Sequence, residues 1–175
     1  MEMASGGLYA GQSPVWGGAV GPNPTDRGKN GSKKSLVTDG EGGPLGVVVA
    51  AANVNDDYLL RQTLEAIVVA RPHTKTNRTQ HLSLDKGYDT PTGKRVVGQR
   101  RYIPHIRRRG ELPIPKSQRK YPARRWVVER TFAWLSQCRA LLVRYDTNPV
   151  YYLGLLQFAC ALLWYRRLLM KQARR

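Results

Sequence analysis

The chain has 175 residues, with 29 lysines and arginines against 12 aspartates and glutamates, for a formal net charge of +17. This length can bury a core without a metal or disulfide, and the charge predicts a surface that attracts polyanions, mainly nucleic acid and less often an anionic membrane. A basic protein without a polyanionic partner is the plainer alternative. Cys138 and Cys160 have no cysteine or histidine at metal-binding spacing, and the three histidines are scattered, so no Cys/His metal site is expected.

The N-terminal third predicts a loop followed by a hairpin and a helix. Residues 1–16 are expected to form a disordered or irregular lead, and nothing in them has the basic and apolar regions of a secretory signal. Ser32–Asp39 and the apolar, β-branched Leu45–Ala52 predict two strands joined by the glycine-rich turn Asp39–Pro44. Tyr58–Val69, after a run of potential N-cap residues, predicts a helix.

Strands and helices continue to alternate in the rest of the chain. A short strand is predicted at His81–Leu84 and a second at Arg101–Arg107, while Thr90–Gly93 argues for a weak or late helix between them. A basic loop over 107–120 precedes a helix predicted from Pro122 to about Leu142. The order of elements predicts an α/β fold with a hairpin at its start.

The last apolar segment runs from Val150 to Tyr165. Its 16 residues fall short of the roughly 20 needed to span a bilayer, so a buried core helix is expected and a membrane is not.

Two carboxylates are candidates for chemistry. Asp85 follows a predicted strand, at the end of a sheet where sites are often built. Glu129 lies in the helix that begins near Pro122, at the edge of an apolar stripe, where it can face a neighbouring sheet. Two such carboxylates suit a shared Mg²⁺ site for phosphoryl transfer. The plainer alternatives are a turn cap at Asp85 and a salt bridge between Glu129 and Arg125.

Several ordered strings resemble insertion-sequence DDE transposases. Leu84–Asp89 (LDKGYD) resembles the block around the second catalytic aspartate of that family, and Arg125–Leu135 (RWVVERTFAWL) resembles the block around its glutamate. The segments Gly21–Lys29 and Ala51–Asp56 and the region of Arg144 and Tyr145 are also similar to the family.

The resemblance implies a mixed, RNase H-like sheet with flanking helices, formed by 17–170 and followed by a basic tail at 171–175. It also implies Mg²⁺- or Mn²⁺-dependent cleavage and joining of DNA in a bacterial cytoplasm. By position, Asp85 is the second metal ligand and Glu129 the third. DNA contacts are expected from the basic side chains beside these two residues, namely Lys86, Arg124, Arg125 and Arg130.

The sequence departs from the family pattern in three places. Ser136 stands where the family often has a lysine, and Tyr121 is offset by one from the usual tyrosine position. The main departure is upstream, since no aspartate precedes Asp26 and Ala10 lies roughly where the first catalytic aspartate is expected. The expectation is therefore the C-terminal part of a catalytic domain, truncated, lacking its N-terminal strand and inactive alone.

Two alternatives to an ancestral transposase remain open from the sequence. One is a non-catalytic basic protein that binds DNA or regulates a full-length transposase, alone or as a homodimer. The other is a chain that never folds stably.

Overall fold

The computed structural model describes residues 3–5, 9–12, 17–70, 80–107, 110 and 125–173. Its strands are β1 (Met3–Ser5), β2 (Tyr9–Gln12), β3 (Gly21–Pro22), β4 (Asn30–Asp39), β5 (Pro44–Ala51), β6 (Gln80–Leu84) and β7 (Tyr102–Ile106). Its helices are α1 (Asp56–Glu65), a 3₁₀ turn (Lys86–Tyr88), α2 (Pro91–Gln99), α3 (Arg125–Leu135), α4 (Arg139–Leu142) and α5 (Pro149–Gln172). The protein is therefore a mixed α/β structure, as its sequence predicts.

The long strand β4 organises the sheet. Along one edge β4 pairs antiparallel with β5. Most of the β4 residues that pair with β1 or β2 also pair with β5. Because a strand has only two edges, β1 and β2 lie one after the other on the edge opposite β5. The strand β6 runs parallel to β1, and β7 runs parallel to β6. The resulting order across the sheet is β5, β4, β1 with β2, β6 and β7.

The prediction that the N-terminal strand is missing is wrong. Both β1 and β2 belong to the sheet, and β1 lies between β4 and β6. The expected irregular lead over 1–16 is likewise wrong for Met3–Ser5 and Tyr9–Gln12. The composition concealed these strands because glycines surround them and no apolar alternation marks them. The strand β1 is nevertheless hydrogen-bonded to a neighbouring strand on each side, and β2 is hydrogen-bonded to β4.

The hairpin and the two following strands are confirmed with small changes in their ends. The helix predicted at Tyr58–Val69 begins earlier, because Asn55 caps it by accepting from the Asp57 amide at 2.8 Å, and it ends at Glu65. The weak or late helix expected at Thr90–Gly93 is a full helix, α2. Thr90 caps it by accepting from the Gly93 amide at 2.9 Å, and a proline occupies its first turn.

Helices cover both faces of the sheet. Successive residues of β4 point to opposite faces. Val37 packs with Leu60, Leu82 and Val97 under α1 and α2, whereas Leu36 packs with Tyr152 and other residues under α4 and α5. The helix α3 lies against β1 and β4.

The C-terminal helices differ from their predicted bounds. The helix expected from Pro122 to Leu142 is divided by a turn at 136–138 into α3 and α4, and Pro122 lies outside the described residues. The 16-residue apolar segment is part of a 24-residue helix, α5, which includes the first two residues of the expected basic tail. By length and composition alone, this helix could cross a membrane. One side of it packs against the sheet, but only 17% of its most apolar window is buried. The expected buried core helix is therefore buried along one side only.

Candidate active site

Asp85 lies immediately after β6, at its carboxyl end. Its side chain is half-buried and accepts a hydrogen bond from the Lys86 amide at 2.7 Å, which caps the 3₁₀ turn that follows. The plainer alternative of a turn cap is thus present in the structure. Lys86 is exposed next to this carboxylate.

Glu129 lies on the exposed side of α3. The buried side of that helix is formed by Val127, Val128 and Thr131, and Thr131 donates to the Gly42 carbonyl at 2.8 Å. Because residues advance about 100° around a helix, Glu129 falls away from this buried side. The expectation that its carboxylate borders the core and faces the sheet is therefore wrong for this conformation.

The predicted metal ligands do not form a complete set. Among the residues that the structure describes, no three Asp, Glu, His or Cys side chains are close enough to hold one ion. Asp85 is half-buried and Glu129 is exposed, and a two-metal centre needs a further carboxylate beside them.

The four basic residues predicted to contact DNA differ in position. Arg130 is used within the fold, because its guanidinium lies over the rings of Trp126 and Trp134 at 4.5 and 4.9 Å and donates to the Glu41 carbonyl at 2.5 Å. Lys86 is exposed at the end of β6. Arg124 and the side chain of Arg125 lie outside the described residues.

A cluster of aspartates surrounds the end of β6. Burial raises the pKa of the Tyr88 phenol well above its usual range, and the charges of Asp56, Asp57 and Asp85 raise it further. Asp57 also accepts from the Thr90 hydroxyl at 2.8 Å, which joins α1 to α2. The folding of the chain therefore gathers negative charge at this corner, although the whole protein is strongly basic.

Two of the histidines, which the sequence suggested were scattered, are in contact. His81 Nδ1 and His105 Nε2 are 2.6 Å apart, and the rings stack with centroids 4.8 Å apart. The parallel pairing of β6 with β7 puts Ser83 opposite His105, so the two rings lie diagonally on one face of the sheet. The histidines are 24 positions apart in the chain, and the only signal for their contact is the strand register.

The first strand can be compared directly with Asp85. Ala4 in β1 is level with Ser83 in β6, and Asp85 comes two residues after Ser83. Asp85 is thus much nearer in register to the end of β1 at Ser5 than to Ala10, which pairs with Lys33 of β4. The expectation that Ala10 occupies the position of the family's first aspartate is wrong by this register.

The fold is thus a mixed sheet covered by helices, with Asp85 after a parallel strand and Glu129 on a later helix. Residues 8–164 match the family model described as transposase DDE domain, and the chain belongs to this family. It is similar to the putative transposase for insertion sequence element IS402 of Burkholderia cepacia. The two are 36% identical over 151 residues, which cover 85% of this chain and 70% of the relative.

Proposed function

We propose that this protein binds DNA as a member of the transposase family and does not cleave it, because its first strand supplies no carboxylate beside Asp85. The ancestral reaction is phosphodiester cleavage at a transposon end, followed by strand transfer, with Mg²⁺ or Mn²⁺ held by three carboxylates. DNA is the proposed partner in a cytoplasmic setting, and regulation of a full-length transposase is the role open to such a protein.

The strand order supports an RNase H-like fold for this proposal. The strands β1, β2 and β5 all pair antiparallel with β4, and they are followed in the chain by β6 and β7, which both run parallel to β1. In a sheet of this kind, β1 and β6 are neighbours and their carboxyl ends meet at one edge. Whether both strands can supply ligands to one ion then depends on how their residues are aligned.

The register between β1 and β6 carries the proposal. The strand β1 ends at Ser5, and its Ala4 is level with Ser83, two residues before Asp85. In the sequence, Gly6-Gly7-Leu8 follows β1. None of these three residues can bind a hard cation through its side chain. Two-metal catalysis depends on close placement of both ions, so the loss of one carboxylate removes the reaction rather than slowing it slightly.

The surface charge supports DNA as the partner. The net charge of +17 is carried in part by exposed side chains on several elements, such as Lys29, Lys86, Arg95 and Arg101. Neutralising DNA phosphates with such side chains releases counterions and gives affinity without a metal ion. DNA binding and DNA cleavage are therefore separable in this protein.

A restoration experiment tests the proposal. We expect the native chain to bind Mn²⁺ weakly and not to nick supercoiled plasmid DNA in Mg²⁺. The variant Gly6→Asp should bind Mn²⁺ at least tenfold more tightly, and adding Asp85→Asn should cancel that gain. The matched control is Gly7→Asp, which adds the same charge one residue further along the chain.

Two results would overturn the proposal. One is Mg²⁺-dependent nicking by the native chain that Asp85→Ala abolishes, since a working centre would then exist without a residue-6 carboxylate. The other is equal Mn²⁺ affinity of Gly6→Asp and Gly7→Asp, which would mean that the register does not define the site.

A further inference from the structure

The helix α5 carries a second apolar stripe that the sheet does not cover. Its core-facing residues include Tyr152, Leu156 and Ala159. Beside them, at alternating spacings of four and three residues, lie six large exposed side chains that we call the outer seam: Tyr151, Leu155, Phe158, Leu162, Tyr165 and Leu169. At about 100° per residue, the outer seam lies roughly a third of a turn away from the core face.

The spacing of the outer seam matches that of helices that pack along one another. An alternation of four and three residues averages 3.5, the repeat with which one helix packs along another in a coiled coil. The same spacing keeps all six side chains on one side of the helix. The stripe is therefore compatible with packing along a second helix.

The order of residues within the seam is self-complementary. In an antiparallel pair of identical α5 helices centred on residue 160, Tyr151 meets Leu169, Leu155 meets Tyr165 and Phe158 meets Leu162 of the other copy. Each layer then joins one ring to one leucine. A parallel pair would place rings against rings and leucines against leucines, in layers of unequal size.

The charges on α5 favour the same orientation. The helix contains no acidic residue, and its cations lie near its C-terminal end at Arg166, Arg167 and Lys171. A parallel pair would bring these cations level with their own copies. In the antiparallel pair, the two Arg166 positions are separated by roughly 18 Å along the axis at 1.5 Å per residue, well beyond the screening length of about 8 Å at physiological salt.

The area available is sufficient for association. The three rings of the seam are 59–68% exposed and the three leucines 41–46% exposed. With about 200 Å² for an aromatic side chain, the seam offers roughly 500 Å² per copy, or about 1,000 Å² in a pair, which is the lower limit for a specific interface. A patch of about this size lies towards the upper end of what monomeric proteins expose, and such patches are often functional.

We propose that two copies of this chain associate through the outer seams of α5, antiparallel, about a two-fold axis near residue 160. The small residues Gly154 and Ala161 flank the seam and allow the helices to approach closely. The inference stands apart from the proposed loss of DNA cleavage, because it uses no residue near Asp85.

The oligomeric state of the full chain tests this proposal. In sedimentation equilibrium at high salt, which suppresses contacts through nucleic acid, we expect the native chain to be a dimer at micromolar concentration. Leu162→Lys should weaken the dimer at least a hundredfold, because it places two added charges in the central layers. Gln157→Lys, the matched control, adds the same charge at an exposed position on α5 outside the seam and should leave the dimer intact.

Cross-linking tests the orientation without relying on a destabilising variant. In a Cys138→Ser background, Cys160 is buried and its pKa is raised to about 12 by burial, so it stays unreactive. A short bismaleimide should join two copies through Ala161→Cys but not through Val150→Cys, since the latter positions lie roughly 30 Å apart in the antiparallel pair. Cross-linking through both positions would indicate a parallel pair.

Three results would overturn the proposal: a native chain that is monomeric at 100 µM (about the highest practical concentration), a dimer unaffected by Leu162→Lys, or a parallel pair. A monomer that floats with phosphatidylcholine vesicles would assign the seam to a membrane instead. Zwitterionic vesicles are required for this comparison, because a chain of charge +17 binds anionic ones through any face.

Discussion

Arg144 and Ser32 are separated by 112 positions in the chain, yet the arginine Nη1 donates to the serine hydroxyl at 2.7 Å in the protein interior. The same guanidinium donates to the carbonyls of Gly18, Ala19, Asp146 and Thr147 at 2.7–3.1 Å. Arg144 is 1% exposed, and burial lowers its pKa from the usual value. One side chain therefore joins the loop before β3, the strand β4 and the connection between α4 and α5.

Replacing Arg144 is expected to destabilise the protein strongly. Arg144→Met removes five donated hydrogen bonds and leaves buried carbonyls without that partner, so the free energy of unfolding should fall by about 3–5 kcal/mol. Urea unfolding measures the change. Arg139→Met, at an exposed position on α4, is the control and should change stability by less than about 0.5 kcal/mol. A loss below about 1 kcal/mol for Arg144→Met would contradict the interpretation of Arg144 as a clamp.

Lys34 is expected to make stability depend on pH in the alkaline range. Its ammonium is buried and donates to the Leu141 carbonyl at 2.7 Å, and burial lowers its pKa from 10.5 to about 8. Between these two values the unfolded chain binds more protons than the folded one, so the contribution of Lys34 to unfolding free energy rises with pH. Below about pH 8 the cost of burying the charge is fully present.

The variant Lys34→Met isolates this effect. It should be at least as stable as the native protein at neutral pH, because the Leu141 carbonyl still accepts from the Tyr152 hydroxyl at 2.9 Å. As pH rises from 8 towards 10.5, the free energy of unfolding of the native protein should increase relative to that of the variant by up to about 3 kcal/mol. Urea melts of both proteins at several pH values give the difference, and a difference that stays flat or falls over this range would refute the prediction.

Gly43 is expected to tolerate no side chain, because α5 packs directly onto the tip of the β4–β5 hairpin. A Cβ on Gly43 would lie 2.4 Å from Trp164 Cζ2, and the Trp164 indole N–H donates to the Pro44 carbonyl at 2.7 Å. Gly43→Ala should therefore cost about 1–3 kcal/mol in a thermal or urea melt. The control is Gly98→Ala in α2, where a Cβ meets no atom within 4 Å and where helix propensity predicts a gain of up to about 1 kcal/mol. Equal effects of the two substitutions would show that Trp164 moves freely.

Much of the fold could be predicted from local patterns, and the failures have a common cause. The hairpin, β6 and the apolar segment of α5 carry strong apolar signals and were predicted close to their observed positions. The strands β1 and β2 carry no such signal, because their place is determined by hydrogen bonds to β4 and β6 that lie far away in sequence. A strand that is defined by its neighbours cannot be found by reading its own residues.

The sequence could identify the two blocks of residues that carry the site, but not how these residues are placed relative to one another. The strings around Asp85 and Glu129 indicate the family, and the family is confirmed by the match over 8–164. The rotation of α3 about its own axis decides which of its residues face the sheet. It is the reason that Glu129 is exposed and that Arg130 lies over two tryptophan rings. The position level with Asp85 depends on the pair Ala4–Ser83, which no motif contains.

The neighbouring residues Asp85 and Lys86 should affect DNA affinity in opposite ways. In EDTA, which removes any metal contribution, the Asp85 carboxylate only repels phosphates, so Asp85→Asn should leave DNA binding unchanged or tighten it. Lys86 is exposed beside it, and Lys86→Gln should weaken binding to all sequences alike and reduce the slope of log K against log salt by about one. Fluorescence anisotropy with a duplex at several salt concentrations measures both quantities. Weaker binding by Asp85→Asn in EDTA would mean that its cap on the 3₁₀ turn, rather than its charge, controls how this edge of the sheet meets DNA.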